Sequence, residues 1–557
     1  MQFRWNHTQG APNYDRETGF GFVTGAVYNA NAGLHIPETN SGFLPLWWYA
    51  GTPISDIRQS EYGLQATAAE ALRTEDAADR RLPVWLRIQV PGEGVYRAEI
   101  TVTGTDGGEV LVFTGRRRLA WRGVLPAGAQ QIVAAYCDVF PIVPRGQADA
   151  VASDAVNIAV VGGALSAVAL AEAPHTRRIW VCGDSTVTDQ TGELPYAPGT
   201  SYAGWGQMLP AYLPEVCITN HAHSGLTTES FLSEGHWAIV KPRLRAGDIC
   251  LFQFGHNDQK LAHLQARGGY TDRLRTYIKE TRTAGAVPVL ITPLARNSWR
   301  DPTHYNDFLA DFADAVLDLG KEEAVPVLDL HAYAMQLIRQ EGLETAKRWF
   351  YPGDYTHTND FGAYRMAGFV AGALGKAVGL PVADSPAWTP APPFAPLTPP
   401  KDCALPAPDT DPFADYDATR PQEVLTRAEA LELAIKALKL FPINVYNDLY
   451  ADIVGHETYA GTVQCAAQND LIPAAWIADG RLYPQRTVTA ADFLAVLMPG
   501  AAGRRPLAAP SPLPDSVPAY ARFAAGQAVA EQLISADSLN DPITRSDAAA
   551  LCRRLHI

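Results

Sequence analysis

Ile179-Trp180-Val181-Cys182-Gly183-Asp184-Ser185-Thr186 is a short apolar run that stops on a glycine and turns polar. The run reads as a buried strand, and Gly183 lets the chain turn sharply after it. Ser185 then lies at the carboxyl end of a strand, where open α/β sheets bind ligands. Three further blocks follow in order: Asn220-His221-Ala222-His223-Ser224-Gly225, Gly255-His256-Asn257-Asp258, and Asp354-Tyr355-Thr356-His357. The second and third close the apolar runs Val216-Cys217-Ile218 and Ile249-Cys250-Leu251-Phe252. Strand-like runs end near Cys182, Thr219, Phe254, Ile291 and Leu330. Segments of helical character lie between them, Asp272 to Ala284 and Tyr305 to Glu323, and Phe361 to Leu374 reads as a closing helix. Five strands with helical crossovers predict an α/β fold, a doubly wound parallel sheet covered on both faces.

The four blocks carry complementary chemistry. A serine hydroxyl is a poor nucleophile until a base takes its proton. Ser185 is the candidate nucleophile and His357 the candidate base. Asp354, three residues before His357, can hold the imidazole by its Nδ1 proton and leave Nε2 for Ser185. Acyl transfer also needs donors aimed at an oxyanion. Asn257 offers a side-chain amide, and Gly225 and Ser185 offer backbone N–H groups. Trp205, Gln207 and His256 are candidates for substrate contact. Trp205 suits a sugar-facing wall or the core equally, and His256 reads as structural rather than catalytic. No cofactor is expected, and no metal, because no cluster such as His-Glu-x-x-His accompanies the Asp354/His357 pair.

Taken together the blocks resemble the SGNH (GDSL-type) hydrolase superfamily. Tyr202-Ala203-Gly204-Trp205-Gly206-Gln207, Ser224 to Phe231, Phe254 to Asp258, Thr292-Pro293-Leu294-Ala295-Arg296 and Asp354 to Asn359 extend the likeness to its rhamnogalacturonan acetylesterase-like branch. The resemblance covers about Arg177 to Leu380. It implies a flavodoxin-like sheet, Ser185 as nucleophile, Gly225 and Asn257 as oxyanion donors, and Asp354 and His357 as partners. It also implies removal of acetyl groups from plant-wall poly- or oligosaccharides such as pectin, xylan or mannan. One departure stands out. The second block of the branch often carries Gly-Arg-Ser, whereas Gly225-Leu226-Thr227 stands here, so a substrate contact made by that arginine is absent.

Composition bounds the alternatives. At 557 residues the chain is too long for one core. Its 45 Lys+Arg against 59 Asp+Glu leave a net charge of −14, which argues against nucleic acid as a partner. No apolar run approaches the roughly 18 residues of a membrane span. The start, Met1-Gln2-Phe3-Arg4-Trp5-Asn6, has no charged and then apolar signal pattern. The seven cysteines, Cys137, Cys182, Cys217, Cys250, Cys403, Cys465 and Cys552, are odd in number and scattered, unlike a disulfide framework. Both features lead to a cytoplasmic expectation, or a secreted one if a signal has been removed.

Outward from the core segment, residues 1–172 show short alternating runs such as Leu82 to Ile88, Val95 to Val102, Val110 to Phe113 and Ala155 to Val161. These predict a β-sandwich. With Gly19-Phe20-Gly21-Phe22, the opening stretch resembles galactose-binding-like domains. Residues 173–380 form the catalytic segment. Residues 381–416 read as a linker or a surface strap, with eleven prolines from Pro381 to Pro412. In residues 417–557 three stretches open alike: Leu425-Thr426-Arg427-Ala428-Glu429, Val488-Thr489-Ala490-Ala491-Asp492 and Ile543-Thr544-Arg545-Ser546-Asp547. Each has a threonine followed three residues later by an acid, much like a capping box, ahead of an Ala/Leu-rich helix. The tail resembles degenerate S-layer homology repeats, which implies a cell-wall polymer as partner; the middle stretch lacks the arginine and the first lacks most of its leading half, which favours instead a helical module that braces the esterase or mediates self-association. Two rival functions stand beside acetyl removal: a lipase or thioesterase on the same fold, and a glycan-binding protein with an inactive esterase domain.

Overall fold

The computed structural model describes residues 2–24, 54–68, 82–143, 149–190, 192, 196–261, 263–301, 304–390, 411–438, 440, 449–454, 457–503 and 505–555. Cys403 and most of the proline-rich segment, residues 391–410, lie outside the described residues. Two compact units emerge. The first holds Met1–Asp258, Ala266–Asn297 and Leu309–Thr398, and the second holds Gln259–Gln265, Ser298–Phe308 and Pro399–Ile557.

The first unit opens with two antiparallel sheets. One runs in the order Ile54–Ser60, Gly63–Ala68, Ala164–Glu172, Gly94–Thr103, Gln130–Val139, with Gln2–Asn6 also on Ala164–Glu172. The other runs Phe20–Phe22, Val84–Gln89, Ala155–Val161, β1 (Glu109–Thr114), β2 (Arg118–Val124). The apolar runs of the sequence supply these strands, and Val84, Leu86, Ile88, Val110, Val112 and Ile158 are buried between them and their neighbours. Burial of alternate or continuous apolar residues is what holds such sheets. Gly115, Arg116 and Arg117 turn the β1–β2 hairpin.

The α/β part follows on β3 (Arg178–Gly183), β4 (Cys217–Asn220), β5 (Ile249–Gln253), β6 (Val287–Ile291) and β7 (Val327–Leu328). All pair in parallel in the order β4-β3-β5-β6-β7. β3, β4 and β5 are buried along their whole length, as expected for a parallel sheet covered on both faces. Helix α1 (Thr271–Thr283) buries Leu274, Tyr277, Ile278 and Thr281, an i, i+3, i+4, i+7 stripe. Helix α2 (Ala310–Glu322) repeats the spacing with Phe312, Ala315, Val316 and Leu319. The helix expected from Tyr305 begins only at Ala310, because Tyr305 is held in a short antiparallel ladder opposite Trp299. Helix α3 (Asp360–Val378) starts on an Asn359 cap and ends on left-handed Gly379. Beyond it the chain runs as a strap: Trp388 is buried against Phe361 and Tyr364, and Pro386 accepts a hydrogen bond from Arg122.

The second unit contains α4 (Arg427–Ala437), α5 (Ala490–Ala502) and α6 (Arg545–Arg554). Thr426 with Glu429, and Thr489 with Asp492, form complete capping boxes, and Thr544 accepts from the Asp547 N–H. The residues just before these helices bond in a ring. The Leu425 N–H donates to the Ile543 carbonyl at 2.9 Å, Ile543 to Val488 at 3.3 Å, and Val488 back to Leu425 at 3.0 Å. Leu431, Leu494, Val496 and Leu551 fill the core behind them. Among the described residues no helix is long and apolar enough to cross a membrane.

Candidate active site

The sheet delivers the four blocks to one place. Ser185 stands in the turn that follows β3, where the Val187 and Thr188 N–H groups both donate to the Asp184 carbonyl. Gly183 is needed for a different reason than a turn. It is the last residue of β3, opposite Gln253 on β5, and a Cβ there would lie 2.6 Å from the Gln253 carbonyl oxygen. Close approach of two strands, not backbone bending, excludes a side chain.

Ser185 Oγ lies 2.8 Å from His357 Nε2, and His357 Nδ1 lies 2.7 Å from Asp354 Oδ2. The other Asp354 oxygen accepts from the backbone N–H groups of Thr356 and His357, at 2.7 and 2.9 Å. Burial works against ionisation of Asp354, but these donors outweigh it and hold the carboxyl below its usual range. A carboxylate so placed accepts a hydrogen bond from Nδ1–H, which fixes the ring proton there and leaves Nε2 as acceptor toward the serine hydroxyl. The His357 loop is pinned to the Tyr202 segment: Ala203 N–H donates to the Thr358 carbonyl at 3.0 Å, and Thr358 Oγ1 to the Ala203 carbonyl at 2.7 Å.

Gly225 has φ +89°, a left-handed conformation that glycine adopts without strain, and nothing lies within 4 Å of a Cβ built there. Asn257 Nδ2 donates to the carbonyl of Leu226 at 3.0 Å, so the two candidate oxyanion donors sit on one tethered pair of loops. Among the described residues the backbone N–H groups of Ser185 and Gly225 donate to no protein acceptor. Asp258 makes the same tie from below. Its carboxylate accepts from Thr228 N and Oγ1, at 2.8 and 2.6 Å, and from Gly255 N at 3.1 Å.

The three candidates for substrate contact are buried, as the structural reading of His256 and the core reading of Trp205 have it. Trp205 is 1 % exposed and its indole N–H donates to Gln253 Oε1 at 2.7 Å. Gln207 is wholly buried and donates to the carbonyls of Arg116 and Gln190. His256 is 2 % exposed, with Nδ1 3.1 Å from Asp184 Oδ2 and Nε2 2.8 Å from the Leu294 carbonyl. The carbonyl only accepts, so Nε2 carries a proton. Trp205, Gln207 and His256 are therefore parts of the frame; a pattern of residue types beside a block does not say which way a side chain points. Several neighbours carried no expectation. Tyr202 stacks on Tyr351 at 3.6 Å between ring centres and meets the His357 ring at right angles, 5.8 Å away. Gln190 Nε2 donates to the Ser185 carbonyl at 2.9 Å and to Ser224 Oγ at 3.4 Å. Tyr202 had a sequence signal only as the first residue of the block that extends the resemblance; for Gln190 there was none.

Burial, with help from nearby Asp184, pushes the Asp258 carboxyl up to about 7, although the Thr228 donors pull it down. The folded protein thus binds this proton more tightly than the unfolded chain. The resulting stabilisation is full below about pH 4 and is lost as pH rises toward 7, on the order of a few kcal/mol. Urea unfolding midpoints at pH 5 and pH 8 should differ less in Asp258→Asn than in the parent. An unchanged difference would assign the slope to another group.

Residues 181–365 match the GDSL-like Lipase/Acylhydrolase family. Over 222 residues, 37% of this chain and 93% of the relative, the sequence is 33% identical to "Rhamnogalacturonan acetylesterase RhgT" of Bacillus subtilis. The chain belongs to the GDSL-like lipase/acylhydrolase family. This GDSL hydrolase is also 33% identical over 216 residues, 37% of the chain and 96% of the relative, to "Probable rhamnogalacturonan acetylesterase YesY" of the same organism. A longer match, 25% identity over 368 residues, takes in 64% of the chain and 82% of "Uncharacterized esterase YxiM", again from Bacillus subtilis. As a GDSL hydrolase the protein is a carboxylic ester hydrolase.

Proposed function

We propose that this GDSL hydrolase removes O-acetyl groups from plant cell-wall poly- or oligosaccharides, with rhamnogalacturonan, xylan and mannan as the substrate class. The observation that carries the proposal is the unbroken line Ser185 Oγ, His357 Nε2, His357 Nδ1, Asp354 Oδ2, at 2.8 and 2.7 Å, in a chain similar to relatives named as rhamnogalacturonan acetylesterases. Ser185 Oγ attacks the acetyl carbonyl carbon as its proton passes to His357 Nε2. The N–H groups of Ser185 and Gly225 and the Asn257 amide receive the oxyanion. As the tetrahedral intermediate collapses, His357 returns its proton to the departing sugar oxygen. Water, deprotonated by His357, then attacks the acetyl-serine, and acetate leaves as Ser185 regains its proton. The stacked Tyr202–Tyr351 pair beside His357 suits a sugar ring, since flat aromatic faces pack on its C–H surfaces.

In the same reading the two N-terminal sheets form a β-sandwich and residues 417–557 a set of helical repeats built on one capped-helix unit. The test is acetate release from acetylated rhamnogalacturonan, xylan and mannan, run beside p-nitrophenyl acetate and octanoate. The proposal expects acetate from at least one polymer and faster cleavage of the acetyl ester. Rapid octanoate cleavage with no acetate from any polymer would reassign the protein as a lipase.

A further inference from the structure

We infer that Arg117, at the tip of the β1–β2 hairpin, is a positioning residue for the reaction: through it the N-terminal sheets complete the active site. The inference rests on Ser185 and His357 as the catalytic pair. Gly115-Arg116-Arg117-Arg118 is a run of three arginines in an apolar hairpin, and all three are buried. Arg117 is 0 % exposed and has φ +58°. A bulky residue held in the left-handed region is uncommon and persists where its surroundings over-determine it.

Those surroundings are the loops of the site. Arg117 Nη1 donates to Asp360 Oδ1 at 2.6 Å, with both side chains fully buried. Asp360 opens α3 three residues after His357, and it also accepts from Tyr196 Oη at 2.7 Å and the Gly199 N–H at 3.1 Å. Arg117 Nη2 donates to the carbonyl of Tyr202, whose ring meets His357. Arg117 Nε donates at 3.3 Å to the carbonyl of Gln190, whose side chain holds the Ser185 carbonyl and Ser224 Oγ. One guanidinium therefore reaches the nucleophile turn, the Gly225 loop and the His357 loop, each through a single intervening residue. A planar fork with donors in three directions can do this, and the point charge of a lysine cannot. Arg118 supports the same edge, donating to Asp189 at 2.8 Å and to the Ile218 carbonyl at 2.8 Å.

The experiment uses the full chain and p-nitrophenyl acetate. Arg117→Gly removes the side chain at a φ that glycine accepts, and Gln190→Leu cuts the link to Ser185 at a half-buried position. Folding is checked by circular dichroism and a cooperative melt. Both variants should lose about 10- to 100-fold in kcat, as small misplacements of reacting groups do, with KM changed less than about twofold. Arg117→Lys should recover part of the loss, because one contact survives. Folded variants with kcat within about twofold of the parent would overturn the inference. If Arg117→Gly does not fold, Gln190→Leu decides alone on the same criterion. Ser185→Ala runs alongside: its retained activity would sink the catalytic pair itself, whereas its inactivity beside an active Gln190→Leu would sink only the role of Arg117.

Discussion

Ser185→Ala should lose about 10⁴-fold or more in ester hydrolysis while its melting temperature stays close to that of the parent. The two halves of this expectation have separate causes. Ser185 Oγ meets His357 Nε2 at 2.8 Å, and His357 is itself part-exposed, so removing the hydroxyl leaves no polar group stranded in the apolar core. The strand-end turn is held by other atoms: the Asp184 carbonyl, the Asp184 carboxylate with Thr186, and the Ser185 carbonyl with Gln190. All of these survive the substitution, and a buried serine cut back to alanine leaves no unpaired donor or acceptor of its own, so the fold is little affected. Hydrolysis of p-nitrophenyl acetate beside a thermal melt checks both halves. Residual turnover above about a hundredth of the parent would remove Ser185 from the nucleophile role.

Asp354→Asn is expected to be almost as severe, about 10⁴-fold in kcat, for a reason of tautomer rather than charge alone. Asparagine can keep one oxygen on the Thr356 and His357 N–H groups, where Asp354 accepts at 2.7 and 2.9 Å. Its NH₂ then faces His357 Nδ1 and must donate to it. The ring proton moves to Nε2, which faces Ser185 and can no longer accept from it. The same substitution carries a stability signature. The depressed Asp354 carboxyl stabilises the fold above the ordinary carboxylate pKa of about 4 and loses that contribution as pH falls below it. The variant should therefore be less stable than the parent at pH 7 and closer to it at pH 3, read as urea midpoints. A gap that widens in acid would contradict the direction of the shift.

The sheet and the reacting groups were legible because both are written locally. Each strand is a run of apolar residues, and each block sits where such a run ends, so order along the chain places Ser185, Gly225 and Asn257 at one sheet edge. The Asp354/His357 pair needs only a single turn to meet. The orientation of Trp205 and Gln207 was not legible for the opposite reason. Whether a tryptophan faces ligand or core depends on what stands opposite it, and Gln253, its partner, is 48 residues away. Arg117 was invisible on the same grounds. Three consecutive arginines normally mark a solvated surface. Their carboxylate and carbonyl partners, Asp360, Asp189, Tyr202 and Gln190, are scattered over more than 170 residues and meet them only in the folded chain.

The ring of hydrogen bonds among Leu425, Val488 and Ile543 sets a copy number. In a stacked array each unit has an upper and a lower neighbour, so the array can grow or shrink by one unit and keep its interfaces. A closed circuit has no end to extend. Deleting one of the three capped helices would leave one donor and one acceptor facing a gap, and a fourth would have to break a bond already made. The module can drift in sequence at each position, as the missing arginine at Ala490 illustrates, but it cannot change its count without being rebuilt.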